Sequence, residues 1–354
     1  MDGVILAIDL GKFNSVGCWF DPVTRQREFR SIPSDPASVR AAIGRRAVSR
    51  VVIEACSAAG WVHDLCGAIG MACTVASTAS EAWQWKRVKR KTDRDDALKL
   101  ARLAAVGELS AVTVPAKPIR QWKSLIGLRK RLVGERGRGQ NRIRGLFVGQ
   151  GLPVPRGARA WSAAGLAGLD GRAKPLAACG PDELWRGELD LLLDRHRAVE
   201  AQIGQVEARL DLLAAGSHRV SLLTTIPGVG VRTAEVIATH LGDATRFRTA
   251  DEVGAYAGLV PKQYQSGESD RRGRVTRRGS SVLRAALVEC AWCCLRYNAW
   301  VRGEWRRLVA AGLAKKKAVV ALARKLLIRC WAMLKRGEVW RDPLPSAVTA
   351  PTAA

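Results

Sequence analysis

Four acidic residues near the start of the chain have the types and spacing of a site for two metal ions. Asp9 and Glu54 each end an apolar run, whereas Asp93 and Asp96 stand three apart at the start of a helical pattern. Carboxylate oxygens are the ligands that Mg²⁺ prefers in proteins. Two such ions, about 3.5–4 Å apart, can stabilise both the attacking and the leaving oxygen of a phosphoryl displacement. The four acids therefore predict magnesium-dependent phosphodiester chemistry, with all of them as metal ligands.

Each of these acids also has an ordinary structural interpretation. Single acids often follow strands, and an Asp at a helix start is frequently a cap. Asp95 lies between the two helical candidates and is either such a cap or a solvated residue. The residue types alone leave the choice between Asp95 and Asp96 open.

The charge of the chain indicates a polyanionic partner. The net charge is +26, and residues 86–150 hold 18 basic and 5 acidic residues. Because Lys and Arg replace the counterions of phosphates, this distribution favours nucleic acid over the alternative of a merely solubilising surface. The residues of this segment predicted to contact nucleic acid are Lys86, Arg87, Lys89, Arg90, Lys91, Arg129, Lys130 and Arg131.

The composition also argues against several classes of protein. Hydrophobic residues make up 47% of the chain, but no apolar stretch reaches the length of a membrane span. No secretory pattern opens the sequence, so we expect a cytoplasmic protein with no membrane partner. The nine scattered cysteines do not suggest a disulfide framework or a zinc site.

The acids fall on a predicted α/β domain covering residues 1–110. Strands are expected at 4–8, 15–20, 51–54 and 72–76, with helices at 36–47, 58–70 and 93–106. A hairpin followed by strand–helix units, with acids at the strand ends, suits an RNase H-like sheet.

Residues 111–216 are predicted to contain a basic helix, a linker and a coiled-coil region. The basic helix covers 119–148, where Gly137 and Gly139 are expected to weaken the middle and to allow an interruption there, and 151–181 is expected to be a loop or a linker. The helix at 182–214 repeats apolar residues in alternating steps of four and three, which is the seam of a coiled coil. Its seam positions are Trp185, Leu189, Leu192, His196, Val199, Ile203, Val206, Leu210 and Leu213. An intermolecular seam predicts a homo-oligomer, a dimer or tetramer; the alternative is a helix packed inside one subunit.

Residues 217–345 are expected to form a mostly helical domain, followed by a disordered tail at 346–354. Gly228 and Gly230 lie in a turn between two predicted helices, which indicates a helix-hairpin-helix whose backbone N–H groups could bind DNA phosphates. Further along, Ser266 precedes a set of arginines and could attack phosphorus if it is activated. Ser269 is the other candidate nucleophile. The alternative to a catalytic serine is a polar hairpin tip in a DNA-binding loop. The arginines expected to hold phosphates are Arg271, Arg272, Arg274, Arg277 and Arg278.

Several of these segments resemble the DEDD-type transposases of bacterial insertion sequences, which include Piv-type DNA invertases and bridge-RNA-guided recombinases. The matching segments are Ile8–Gly11, Ile53–Ala55, Lys91–Ala97, Ile226–Gly230, Ala255–Pro261, Ser266–Ser269 and Arg274–Gly279. The resemblance implies a RuvC-like N-terminal domain with a metal-binding tetrad of Asp9, Glu54, Asp93 and Asp96. It further implies Ser266 as the nucleophile of a transient covalent link to DNA, a structured guide RNA and a higher oligomer.

The function predicted from these patterns is site-specific DNA strand exchange. Ser266 would form the covalent intermediate with magnesium held by the tetrad, the two meeting across a domain or subunit interface. Two alternatives remain: a RuvC-like nuclease or junction resolvase in which water attacks, and a non-catalytic nucleic-acid-binding protein. A sugar-kinase-like ATPase fits less well, since no second phosphate-binding glycine loop is evident.

Overall fold

The chain folds into two compact units, residues 1–117 and 118–354. The structure is a computed structural model and describes residues 3–77, 92–266 and 269–342. For residues 264–266 and 269–272 the backbone alone is described. The C-terminal unit thus contains residues 118–216 of the predicted middle region together with the predicted C-terminal region.

The N-terminal unit is built on a mixed sheet. Its strands lie in the order β3-β2-β1-β4-β5, with β1–β2 and β2–β3 antiparallel and β1–β4 and β4–β5 parallel. This arrangement is compatible with the predicted RNase H-like domain. The elements are β1 (Val4–Asp9), β2 (Asn14–Phe20), β3 (Arg27–Pro33), α1 (Pro36–Gly44), β4 (Val48–Glu54), α2 (Ala59–Ala68), β5 (Cys73–Ala76) and α3 (Asp93–Ala105).

Both faces of this sheet are covered by helices. Leu6 and Ile8 of β1 pack with side chains of α1 and α2, whereas Ile5 and Ala7 pack with α3. Successive strand residues point to opposite faces, so a continuous apolar run such as that of β1 is what a strand buried on both sides requires.

Strand β3 was not predicted from the sequence. It is polar, and Ile32 is its buried side chain. Because it lies at an edge of the sheet and pairs on one side with β2, it lacks the apolar run that reveals a central strand.

The C-terminal unit is mainly helical, with one β-hairpin. Its elements are α4 (Lys117–Gly149, which starts at the unit boundary), α5 (Ala163–Asp170), α6 (Leu184–Ala215), α7 (His218–Thr224), α8 (Val231–Leu241), α9 (Ala250–Tyr256), β6 (Pro261–Ser266), β7 (Ser269–Val275), α10 (Ser281–Tyr297), α11 (Ala299–Ala310) and α12 (Lys315–Arg336). The largest cluster of buried residues joins α4 and α6 to α7–α12.

Helix α4 is continuous, which corrects the expectation that Gly137 and Gly139 interrupt it. A glycine within a helix costs about 1 kcal/mol relative to alanine. Packing compensates for this loss, because α4 buries apolar side chains on both sides of the glycines, at Ile126, Leu132, Ile143 and Phe147.

The predicted coiled-coil seam is buried within the chain. Seven of its nine positions, from Leu189 to Leu210, are buried, and all of these except His196 belong to clusters shared with α4 residues. Ion pairs join the same two helices: Arg129–Glu207, Arg136–Glu200 and Arg195–Glu135. The described structure therefore corresponds to the alternative in which the seam helix packs inside one subunit.

Two segments of the C-terminal unit are more ordered than predicted. The segment expected to be a loop at 151–181 contains α5 and several 3₁₀ turns, and its Leu169 and Trp161 pack with Phe147 of α4. Helix α11 was also not predicted from the sequence.

No helix among the described residues is long and apolar enough to span a bilayer.

Candidate active site and nucleic-acid interface

Asp9 and Glu54 lie side by side at one edge of the N-terminal sheet. They end the parallel strands β1 and β4, where Ile8 pairs in register with Ile53. Alternation along each strand places Asp9 on the face of Ala7 and Glu54 on the face of Val52. Ala7 and Val52 both pack with α3. The two carboxylates thus lie on the face of the sheet that α3 covers.

The first turn of α3 brings further acids to this face. Asp96 is 6% exposed and adjoins Ala97, which packs on the sheet, whereas Asp93 is exposed one turn earlier. Three acids in a first turn also stabilise the helix through its dipole.

Asp95 has a different environment from Asp96. Its carboxylate accepts hydrogen bonds from the backbone N–H and the hydroxyl of Thr92, at 3.1 and 2.7 Å. The Thr92 hydroxyl accepts from the Asp95 N–H in return, which completes a capping box. Asp95 is exposed and serves the helix terminus, so the local geometry favours Asp96 as the inward-facing acid.

The donor set at this edge suits a hard divalent cation. All four groups are carboxylates, and the buried charge of Asp96 would be stabilised by a nearby cation. Within residues 3–77, 92–266 and 269–342, however, no three His, Cys, Asp or Glu side chains lie close enough to hold one ion. The residue types suit magnesium, and binding of one ion at this edge would require the acids to move closer together.

Ser266 lies at the tip of the β6–β7 hairpin. It is the last residue of β6, and its backbone pairs with that of Ser269, the first residue of β7. The two candidate serines are therefore direct cross-strand neighbours.

The base of this hairpin is held firmly by backbone contacts. Gly258 has φ +66°, and a Cβ there would lie 2.0 Å from the carbonyl oxygen of Arg278. The N–H of Arg277 donates to the carbonyl of Gly258 at 3.1 Å. Arg284 Nη1 donates to the carbonyls of Ala257, Arg278 and Gly279 at 2.9–3.2 Å. The specific Ala-Tyr-Ala-Gly-Leu motif thus positions the strand that carries Ser266.

Three of the arginines predicted to hold phosphates, in β7 and in the segment that follows it, have described side chains. Arg274, Arg277 and Arg278 are exposed, and none of them has an ion-pair partner among the described residues. Arg271 and Arg272 lie on β7, where the backbone alone is described.

His240 connects α8 to the helix that follows the hairpin. Its Nε2 lies 2.9 Å from the hydroxyl of Ser280, and its Nδ1 lies 2.8 Å from the carbonyl of Val236. Ser280 also caps α10 by accepting from the N–H of Leu283. Burial, followed by the charge of Lys123, lowers the pKa of His240 to about 4. The neutral ring can therefore donate from Nδ1 and accept from Ser280.

This histidine should make stability depend on pH. Its folded pKa of about 4 lies below the unfolded value of about 6.5, so the unfolded chain binds the proton more tightly. The stabilisation is present above pH 6.5 and is lost as the pH falls toward 4, by roughly 3 kcal/mol at most. We expect His240→Gln to show a smaller fall in unfolding free energy between pH 7 and 4.5, measured by urea denaturation. An equal fall in both proteins would contradict the assignment.

The turn between α7 and α8 has the expected glycine geometry. Gly228 has φ +91°, and a Cβ there would approach Cys294 to 3.0 Å. Gly230 caps α8, and its Cβ position is open. Gly228 therefore allows close packing on α10, whereas Gly230 leaves the N–H groups of the α8 terminus accessible for a phosphate.

The basic residues predicted to bind nucleic acid fall in two groups. Lys86, Arg87, Lys89, Arg90 and Lys91 lie outside the described residues. On α4, Lys130 and Arg131 are exposed, while Arg129 forms an ion pair with Glu207.

Sequence reasoning missed His240 and Arg284, which organise the base of the hairpin. Arg284 carried a signal, since a basic residue in the first turn of a helix is disfavoured by the helix dipole and needs a specific partner. His240 carried none, because its partner Ser280 is 40 residues away along the chain.

Comparison with known proteins identifies the family. A model of DEDD-type IS110 transposases matches residues 6–150, and the model described as the transposase IS116/IS110/IS902 family matches residues 220–306. The chain belongs to this family of transposases.

Individual relatives extend over most of the chain. The transposase of insertion element IS1111A from Coxiella burnetii is 29% identical over 351 residues, covering 96% of this chain and 90% of that protein. The putative transposase y4rJ of Sinorhizobium fredii is 31% identical, covering 85% and 80%. The pilin gene-inverting protein of Moraxella bovis is 35% identical over 125 residues, covering 34% and 38%.

Proposed function

We propose that this protein is a DNA transposase that exchanges strands through a covalent link between Ser266 and DNA. Magnesium bound by Asp9, Glu54, Asp93 and Asp96 would support the reaction, in the cytoplasm of the host cell. The observation that carries the proposal is the position of Asp9 and Glu54 beneath α3, whose first turn presents Asp93 and the buried Asp96. Membership in a transposase family supports the same class of chemistry.

The serine step exchanges one phosphodiester bond for another. The Ser266 Oγ attacks phosphorus, an Oγ–P bond forms, and the P–O bond to a sugar oxygen breaks. The serine proton passes to a base, and the departing sugar oxygen takes up a proton. A hydroxyl at another strand end then attacks the phosphoserine, restores a sugar–phosphate bond and frees Ser266. Because both steps exchange one ester for another, no external energy source is required.

The chain's own residues supply binding and orientation. Arg274, Arg277 and Arg278 would hold phosphates on either side of the scissile one, since guanidinium groups match phosphate oxygens in pairs. Gly258 and Arg284 would fix the hairpin that presents Ser266. Bound magnesium, when present, would lower the pKa of a coordinated hydroxyl and stabilise charge developing on phosphate oxygens.

The partners in this proposal are DNA, a structured guide RNA and further copies of the chain. The net charge of +26 supports nucleic acid as a partner, and the RNA follows from the family resemblance. An oligomer formed through the α4–α6 region would require a surface other than the buried seam. Leu184, Leu191 and Leu212 of α6 are more than half exposed, and the intervals between them, seven and 21 residues, are whole heptads, as such a surface would require.

Trapping the covalent intermediate tests the proposal. The protein is mixed with Mg²⁺ and DNA from the ends of its insertion element, the reaction is stopped with denaturant, and the DNA is trimmed with a nuclease. We expect a covalent protein–DNA adduct to remain. Mass spectrometry should place the adduct on the peptide that contains Ser266. DNA cleavage with no adduct would favour the metal-dependent nuclease, and binding with neither product would favour the non-catalytic alternative.

A further inference from the structure

A cleft between α4 and α6 is lined with arginines around a buried histidine. Its volume is about 180 Å³. Arg136, Arg138 and Arg142 of α4 face Arg195 and His196 of α6 across it. The cleft lies wholly in the C-terminal unit and is separate from the hairpin that carries Ser266.

His196 is buried without a complete set of hydrogen bonds. Its side chain is 3% exposed, and its Nδ1 has no partner among the residues that the structure describes. One side of the ring packs on Trp161, with centroids 5.2 Å apart. Burial lowers the pKa of His196. The charge of Glu200 raises this pKa, whereas the charges of Arg136 and Arg197 lower it further, so the ring is neutral near pH 7. An unpaired buried nitrogen is unfavourable and points to a polar ligand in the cleft.

The arginines of the cleft are only partly neutralised. Arg136 pairs with Glu200 at 3.2 Å and Arg195 with Glu135 at 2.6 Å. Arg138 and Arg142 lie one helical turn apart on the same face of α4, and the described residues provide neither with a carboxylate partner. The cleft therefore holds two guanidinium groups available to an anion.

The cleft has room for more than a water molecule. A single water needs roughly 10–15 Å³, which is far less than the cleft provides. Gly139 lies between Arg138 and Arg142 on the sequence, and a Cβ at Gly139 would meet no atom within 4 Å. The missing side chain thus opens the surface of α4 at the point where the arginines converge.

We propose that this cleft binds one phosphodiester group of a nucleic-acid backbone. Arg138 and Arg142 contact its non-bridging oxygens, beside the incompletely hydrogen-bonded ring of His196. Apart from His196, the described residues place no aromatic side chain in the lining on which a base could stack, so the cleft recognises the backbone. The proposal rests on the proposed nucleic-acid function. It adds a second contact site, formed by α4 and α6, to the β6–β7 hairpin that carries Ser266.

Salt-dependent binding by the full-length protein tests this assignment. The probes are a duplex DNA and an RNA hairpin, each of about 30 nucleotides per strand and arbitrary sequence. We expect Arg138→Ala/Arg142→Ala to weaken binding at least about tenfold and to reduce the slope of log K against log salt by about 1. The matched control is Arg40→Ala/Arg209→Ala, which removes two exposed arginines outside the cleft and should preserve the slope.

Two further variants separate binding from folding. His196→Leu keeps the apolar seam and removes the polar ring that lines the cleft, whereas Gly139→Leu fills the cleft without adding or removing charge. Each should weaken binding severalfold while urea denaturation shows a folded protein.

The outcomes distinguish this inference from the broader function. A loss confined to one probe would identify DNA or RNA as the source of the phosphate. Equal slopes for the cleft and control pairs would overturn the inference alone. Failure of the unaltered protein to bind either probe would overturn both the inference and the proposed function.

Discussion

Ser266→Ala is expected to abolish strand exchange while leaving DNA binding unchanged. The substitution removes the attacking oxygen and nothing else, and loss of a nucleophile commonly reduces rates by about 10⁴-fold or more. Ser266 ends β6 at the hairpin tip, where its backbone pairs with that of Ser269. The measurement is recombination of a two-site DNA substrate, with adduct formation scored in the same samples.

Ser269→Ala is the matched control for this experiment. Ser269 sits directly across the hairpin from Ser266, so both variants disturb the same tip equally. We expect Ser269→Ala to retain the adduct and most of the activity. The reverse result, with Ser269 essential and Ser266 dispensable, would move the nucleophile to the other strand. Full activity of both variants would eliminate serine catalysis at this hairpin.

Asp9→Asn is expected to produce a loss of similar size by a different route. The change keeps the shape of the side chain at the end of β1 and removes one negative charge from the sheet edge. Metal ions contribute several kcal/mol to such reactions, so we expect strand exchange to fall by about 10³-fold or more. Titration with Mn²⁺, followed by its electron paramagnetic resonance signal, should show weaker metal binding independently of activity.

Asp95→Asn and Asp96→Asn resolve the ambiguity within the helical pair. Asp95 belongs to the capping box, so its substitution should lower the unfolding free energy by about 1 kcal/mol and spare activity. Asp96 faces inward, and its substitution should reduce both metal binding and strand exchange. If instead Asp95→Asn removed metal binding and Asp96→Asn did not, the proposed tetrad would be wrong at this position.

The sequence predicted the N-terminal elements well because their signals are local. Apolar runs gave β1, β4 and β5, and the Thr92–Asp96 region marked the start of α3. The edge strand β3 was not predicted, because its register is set by pairing with β2 rather than by its own residues. The continuity of α4 escaped for a similar reason, since packing against α6 offsets the weakness of its glycines.

The candidate site shows the same division between local and distant information. The types and spacing of Asp9, Glu54, Asp93 and Asp96, and the placement of Ser266 before the arginines, could be read from the sequence, and their catalytic roles stay predictions. Their surroundings could not: Arg284 binds three carbonyls, and His240 bonds to Ser280 across 40 residues.

By itself, the sequence determined the family of this protein, the positions of its four candidate metal-binding acids and the apolar heptad seam of α6. Tertiary structure alone decided that Asp9 and Glu54 share the face covered by α3, that Asp96 is buried while Asp95 caps, and that the seam packs on α4. The physical reason is that spacing along a chain fixes which residues share a face. Which partner covers that face depends on contacts between residues far apart in sequence, and these exist only after folding.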